Sequence, residues 1–281
     1  MNFEFPKLQS HELVLFFYPS PGLDWSNPKA LTFTTIKNSI LGRSRSIGHA
    51  SVMIRTPNEF VFTGMTQSNK KEGRREVLLD GYGLGILLHN FKGALEDETK
   101  LLPEITERSR EPGKLSYLRI LVNEAITSRL LEYVRTYEKE GHHQSYGMKN
   151  RPLHGEGGGC SAFAASFLET AGILRDEFVR EWTRTFNIPH DFIGGPAAGK
   201  KVSVLELLRR AKRWAHDHEP HEKGFFWDPD LMHAWAVRTH ELEKAPSLGG
   251  FQPEIWNSAR GLVYDARDVT PPQGEIFKHR S

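Results

Sequence analysis

Three consecutive glycines, Gly157 to Gly159, end at the chain's single cysteine, Cys160, and the apolar run Ser161-Ala162-Phe163-Ala164-Ala165 follows directly. Glycines in series cannot continue a helix cheaply, because each gives up more backbone freedom than any other residue. The alanines, Phe163 and Leu168 beyond them favour a buried helix, and Gly172 supplies its stop. The local pattern therefore fixes a glycine turn feeding a helix N-terminus, with Cys160 at the junction. Unpaired N–H groups and the positive end of the helix dipole favour a thiolate there. The same N–H groups can receive a developing oxyanion. A lone cysteine is commonly just a small buried hydrophobe, but the glycine turn argues for a nucleophile. The run lacks the Lys-Ser/Thr ending of a P-loop and the G-x-G-x-x-G spacing, so phosphate binding is not indicated.

With 281 residues the chain is long enough to bury a real core. A net charge of +2 is too mild to imply a nucleic-acid or membrane partner by itself. One cysteine excludes an internal disulfide framework and a thiolate-rich zinc site. No apolar run is long enough to cross a bilayer, so no transmembrane segment is expected. Met1 to Ser10 carries Glu4 and Lys7 and does not read as a signal peptide. The expected compartment is the cytoplasm, or the periplasm or exterior where a leader has been removed.

Residues 12–18 read as a first strand, and Ala30 to Ile36 is rich in β-branched and aromatic types. The stretch from Ile47 to Arg55 alternates with period two, placing Ala50, Val52 and Ile54 on one face and His49, Ser51 and Met53 on the other. Thr56 to Glu59 is a turn, and Phe60 to Thr63 is the returning strand. Val77 to Leu88 is expected to add further sheet. Leu115 to Glu140 reads as one long helix, with Leu118, Val122, Ala125 or Ile126, and Leu130 on one side and Gly141 as its end. A basic amphipathic helix is expected over Val202 to His216, its cations a solvated face, and a last strand over Gly261 to Ala266 at a sheet edge. This order predicts an α+β fold in a single domain over residues 1–281.

A cysteine nucleophile needs a base, and histidine serves because its pKa lies near neutrality. Of 13 histidines, His49 stands out as the first residue of a strand, where a rigid element aims the ring. His154 competes from the loop before Cys160, where neighbouring glycines suit a cover or substrate contact better than a base. The loop from His142 to Gly159 is expected to border the cleft and to be mobile. His216, Asp217, His218, Glu219 and His221 offer zinc-type ligands, but Pro220 and the spacing favour a polar loop. No metal and no cofactor is expected.

A Gly-His opening a strand hairpin, followed much later by a cysteine at a helix N-terminus, resembles the circularly permuted papain-like enzymes of the NlpC/P60 superfamily. The helical reading of Leu115 to Glu140 and the aromatic Tyr146 before the loop are also similar, and the resemblance covers roughly residues 40–175. It implies a papain-like core in which the cysteine helix packs on an antiparallel sheet bearing the histidine; Ala162, Ala164 and Ala165 suit that contact. A charged helical extension, about residues 176–258, would follow. The resemblance further implies Cys160 as nucleophile, His49 as base and acid, and a third polar residue on the strand after the histidine. Thr63 and Gln67 are the polar choices there, since Glu59 lies in the turn. Tyr146 as an extra donor likewise rests on the resemblance. The activity implied is hydrolysis of a peptide or acyl small-molecule substrate through a thioester, with cell-wall-type peptides first. Acyl transfer or lipid hydrolysis on the same fold, and a binding protein with a decayed site, are the alternatives.

Overall fold

A computed structural model of the chain describes residues 5–6, 11–42, 45–69, 80–242 and 250–278. Its frame is a six-stranded sheet in the order β10-β11-β6-β1-β2-β3. These strands are β1 (His11–Tyr18), β2 (His49–Arg55), β3 (Phe60–Thr63), β6 (Ser116–Val122), β10 (Phe251–Trp256) and β11 (Ala259–Asp265). All neighbours run antiparallel except β11, which lies parallel to β6. A second sheet of β4 (Met65–Gln67), β5 (Phe91–Leu95) and β7 (Ser145–Tyr146) leans on the end of the first. A separate hairpin pairs β8 (Thr183–Pro189) with β9 (His221–Trp227). The helices are α1 (Pro28–Ile40), α2 (Glu98–Ser109), α3 (Glu124–Lys139), α4 (Cys160–Thr170), α5 (Asp176–Trp182), α6 (Val204–Arg210) and α7 (Pro229–Leu242). The mixed α+β class follows directly.

The main sheet is buried on both faces, which is why β1 reads as a continuous apolar run rather than an alternation. One face carries Leu13, Leu15, Phe17, Ala50, Val52, Ile54, Leu118 and Ile120 under α3, α4 and α7. The other carries Val14, Phe16, Tyr18, Met53, Phe62 and Tyr117 against α2, through Leu101 and Ile105. The alternation read for β2 is therefore present, with an apolar partner on each side.

Five readings change. Ala30 to Ile36 lies inside α1, because Asn27 caps the helix through the Ala30 N–H and Pro28 occupies its first turn. Leu115 to Glu140 is two elements, β6 and then α3, divided by Asn123, which caps α3 through the Ile126 N–H. β11 is interior rather than at an edge, because β10 folds over it. The basic helix is shorter than expected, running only from Val204, with Ser203 as cap, to Arg210. Val77 to Leu79 lies outside the described residues, and Leu84–Leu88 is a 3-10 turn rather than sheet. Among the described residues no helix is long and apolar enough to cross a membrane.

The parallel β11–β6 contact depends on Gly261, where an added Cβ would lie 2.1 Å from the Tyr117 ring. That ring is fully buried and its hydroxyl donates to Glu254, so it has little room to yield. Gly261→Ala is expected to lower the urea midpoint by an amount equivalent to roughly 2–3 kcal/mol, as overpacking does.

Candidate active site

Cys160 opens α4, with Gly159 as the residue before it. The glycine run is needed for close approach: Gly157 has φ +80, and an added Cβ there would fall 2.1 Å from the Ser145 carbonyl oxygen. Gly158 N–H donates to that same carbonyl, which ties the turn to β7. The thiol is buried, and Ser161 Oγ lies 3.7 Å from the sulfur.

His49 is the first residue of β2 and is also buried. Its cross-strand partner Tyr18 belongs to the α2 side of the sheet, whereas α4 packs on the opposite side. The imidazole meets Cys160 at the end of the strand, within hydrogen-bonding reach of the sulfur. Only a terminal strand position permits this, since an interior residue would have the sheet between ring and thiol.

The other side of the ring meets Glu96, with Nε2 2.5 Å from Oε2. Neither atom has another partner among the described residues, so each relies on the other. This leaves Nδ1 to the sulfur. Glu96 sits between the end of β5 and Asp97, the cap of α2, so its backbone is held at both ends. Gly64 makes room for the pair: a Cβ there would approach Glu96 Oε2 to 2.9 Å and His49 Nε2 to 3.4 Å. The second carboxylate oxygen accepts from Arg45 Nη2 at 2.8 Å. Arg45 also grips Glu104 of α2 through Nε and Nη2, at 3.1 and 2.7 Å, and Arg108 reaches Glu104 at 2.9 Å.

The charges follow from this arrangement. Burial works to raise the Glu96 carboxyl, but His49 and Arg45 outweigh it and hold it at about 2. Burial works to lower His49, and the Glu96 carboxylate, helped by Cys160, prevails and raises it. Burial works to raise the Cys160 thiol, while His49, the Ser161 hydroxyl and the Ala50 N–H bring it down to about 7. Each group thus has a partner that favours its charged form.

Tyr146 of β7 completes the cluster, its hydroxyl within reach of both the Cys160 sulfur and the Cys160 backbone N–H. Burial first, then the charge of Cys160, keeps the phenol well above its ordinary pKa, so it stays a neutral donor. Two donors, one backbone and one phenolic, therefore flank the sulfur.

The structure brings Cys160, His49 and Tyr146 together. Thr63 and Gln67 do not hold the orienting position, because a carboxylate from the neighbouring sheet occupies it. Thr63 acts one step back, its hydroxyl donating to the Glu96 carbonyl at 3.1 Å. Gln67 lies in β4, and its buried Nε2 has no partner among the described residues. Glu59 is in an ion pair with Arg135 at the hairpin end. His154 closes a 3-10 turn and lines a cavity of about 190 Å³ on the outer face of α4, away from the thiol. The loop bearing it is cross-tied: Asn150 donates to the Glu156 carbonyl at 2.7 Å, and Arg151 pairs with Glu156 at 2.6 Å. His216 and His218 stack on each other in a loop, and among the described residues no group of three or more His, Cys, Asp or Glu is placed to hold a metal.

Arg45 separates two carboxylates that would otherwise share a mostly buried space. Arg45→Met is expected to cost about 3 kcal/mol of stability, read from the urea midpoint, with Arg45→Lys recovering part of it.

No family model matches the sequence, and no curated protein or solved structure is significantly similar to it.

Proposed function

We propose that this chain is a cysteine-dependent hydrolase of amide or ester bonds, built on a circularly permuted papain-like core. One observation carries the reading: a thiol pushed toward its anion lies between a carboxylate-held imidazole and two donors suited to an oxyanion. The Cys160 thiolate attacks the carbonyl carbon, and the oxyanion is received by the Cys160 N–H and the Tyr146 hydroxyl. The C–N or C–O bond then breaks as the His49 imidazolium delivers its proton to the leaving group. A thioester remains. Water enters with His49 as base, the thioester C–S bond breaks, and the acid product leaves with the thiolate–imidazolium pair restored. Glu96 keeps the ring oriented and stabilises its charged form without itself taking the proton.

Cell-wall-type peptides are the first substrate class, with acyl esters and acyl transfer second. The test incubates the wild-type protein and Cys160→Ala with cell-wall fragments and with acyl thioesters. Release from peptide substrates only by the wild type supports the peptidase reading. Cysteine-dependent turnover of thioesters alone moves the assignment to acyl chemistry. Release from neither class leaves a binding protein with an inactive site.

A further inference from the structure

Helix α1 is built inside out. Its buried residues are Pro28, Leu31, Thr32 and Asn38, while Phe33 and Ile40 stand 59% and 71% exposed. At 100° per residue, Phe33 and Ile40 lie within about 20° of each other, and Lys29, Ile36 and Lys37 fall on the same outward stripe. Leu41, just past the helix, continues the apolar surface and is more than half exposed. Isolated exposed hydrophobes are ordinary, but a stripe at helical spacing on a helix that turns polar groups inward is not.

The charge along the stripe is basic, and the carboxylate nearest in sequence is Asp24, whose backbone N–H donates to Thr34 of α1 at 3.1 Å. From Trp25 to Asn58 the chain contains no Asp or Glu. Lys29 and Lys37 are exposed and form no ion pair among the described residues. The first turn of α1 is joined to the end of the basic segment through Lys29 N–H to the Ala211 carbonyl, and the flanking Arg210 and Lys212 are exposed. Arg210 is paired with Glu206, whereas Lys212 has no such partner among the described residues.

We infer that the outward face of α1, with Leu41, docks the protein on an anionic lipid surface. Thirteen residues make a helix about 20 Å long that can lie in the plane of the headgroups, with Phe33 and Ile40 inserted and Lys29 and Lys37 among the anionic groups. A second copy of the chain fits less well, because a symmetric pairing would set the same unpaired lysines near one another. The docking does not depend on the chemistry of Cys160.

The experiment sediments the full chain with vesicles of phosphatidylcholine alone and of phosphatidylcholine mixed with phosphatidylserine. The protein is expected to pellet with the mixed vesicles, and to be released as salt rises. Phe33→Ser/Ile40→Ser is expected to weaken the association by about tenfold or more. Lys29→Glu/Lys37→Glu is expected to abolish the preference for the anionic vesicles. Both variants change exposed side chains, and an unchanged melting temperature verifies the fold. Cys160→Ala should bind as the wild type does, which keeps the result separate from the hydrolase assignment. The inference is overturned if the wild type stays in the supernatant with mixed vesicles, or if both double variants pellet unchanged. It is also overturned if the wild type is a dimer that Phe33→Ser/Ile40→Ser dissociates and neither form binds vesicles.

Discussion

Replacing His49 by alanine is expected to leave Cys160 protonated at neutral pH and to lower turnover by about three orders of magnitude. In the wild type the thiol is brought down to about 7, with burial opposing and His49 the largest of the groups that lower it. Without the imidazole, burial is opposed by neutral donors such as the Ser161 hydroxyl and the Ala50 N–H and no longer by a cation, so the pKa moves back up. Iodoacetamide separates the two proteins, because it reads the thiolate directly. Wild-type alkylation should rise through a midpoint near pH 7 and fade as pH drops below it, since a lowered pKa means the anion is lost only on passing down through that value. In His49→Ala the midpoint should lie clearly higher. On the proposed mechanism turnover has a second limb, because leaving-group protonation needs the imidazolium; His49 is raised from its ordinary value, which moves that limb toward alkaline pH. Alkylation reads the thiolate alone and does not fall with it. A His49→Ala protein that alkylates with the wild-type midpoint would remove His49 from the mechanism.

The part of the site visible in the sequence is the part set by local backbone chemistry. The glycine run before Cys160 announces the helix start, and the period-two pattern around His49 announces its strand. Glu96 carries no such signal: it is one of 35 acidic residues and reaches His49 through sheet packing across 47 positions. The nearest hint is its setting, since a strand ending at Leu95 and a cap at Asp97 fix a carboxylate in a rigid junction. The misreading of β6 has a geometrical cause. Leu118 and Val122 are four apart, which satisfies both a helical turn and a strand alternation, and only Ile120 and the cap at Asn123 separate the two. At α1 the β-branched composition points to a strand, while the Asn27 cap and Pro28 in the first turn make the segment a helix. β11 could not be placed by its own residues, because what makes it interior is the return of β10.

Glu96→Gln tests the part of the site that the sequence did not expose, and it is expected to reduce turnover by about a hundredfold. Glutamine keeps the size and a polar contact, so His49 remains placed, but the charge that raises its pKa is gone. Burial and Arg45, which both work to lower the imidazole, then face only Cys160. The ring becomes neutral at lower pH, the thiol loses its cationic partner, and the alkylation midpoint climbs above that of the wild type. Arg45 keeps Glu104 as a partner, and Thr63 still holds the backbone of residue 96, so the fold should survive. Thr63→Val and Gln67→Ala provide the contrast, because neither side chain carries charge to the imidazole; each should retain the wild-type alkylation midpoint and most of the turnover. If Gln67→Ala were as damaging as Glu96→Gln while Glu96→Gln left the midpoint unmoved, the orienting role would return to β4. The order Glu96 far above Thr63 and Gln67 is the result that ties the chemistry at Cys160 to a carboxylate delivered by the second sheet.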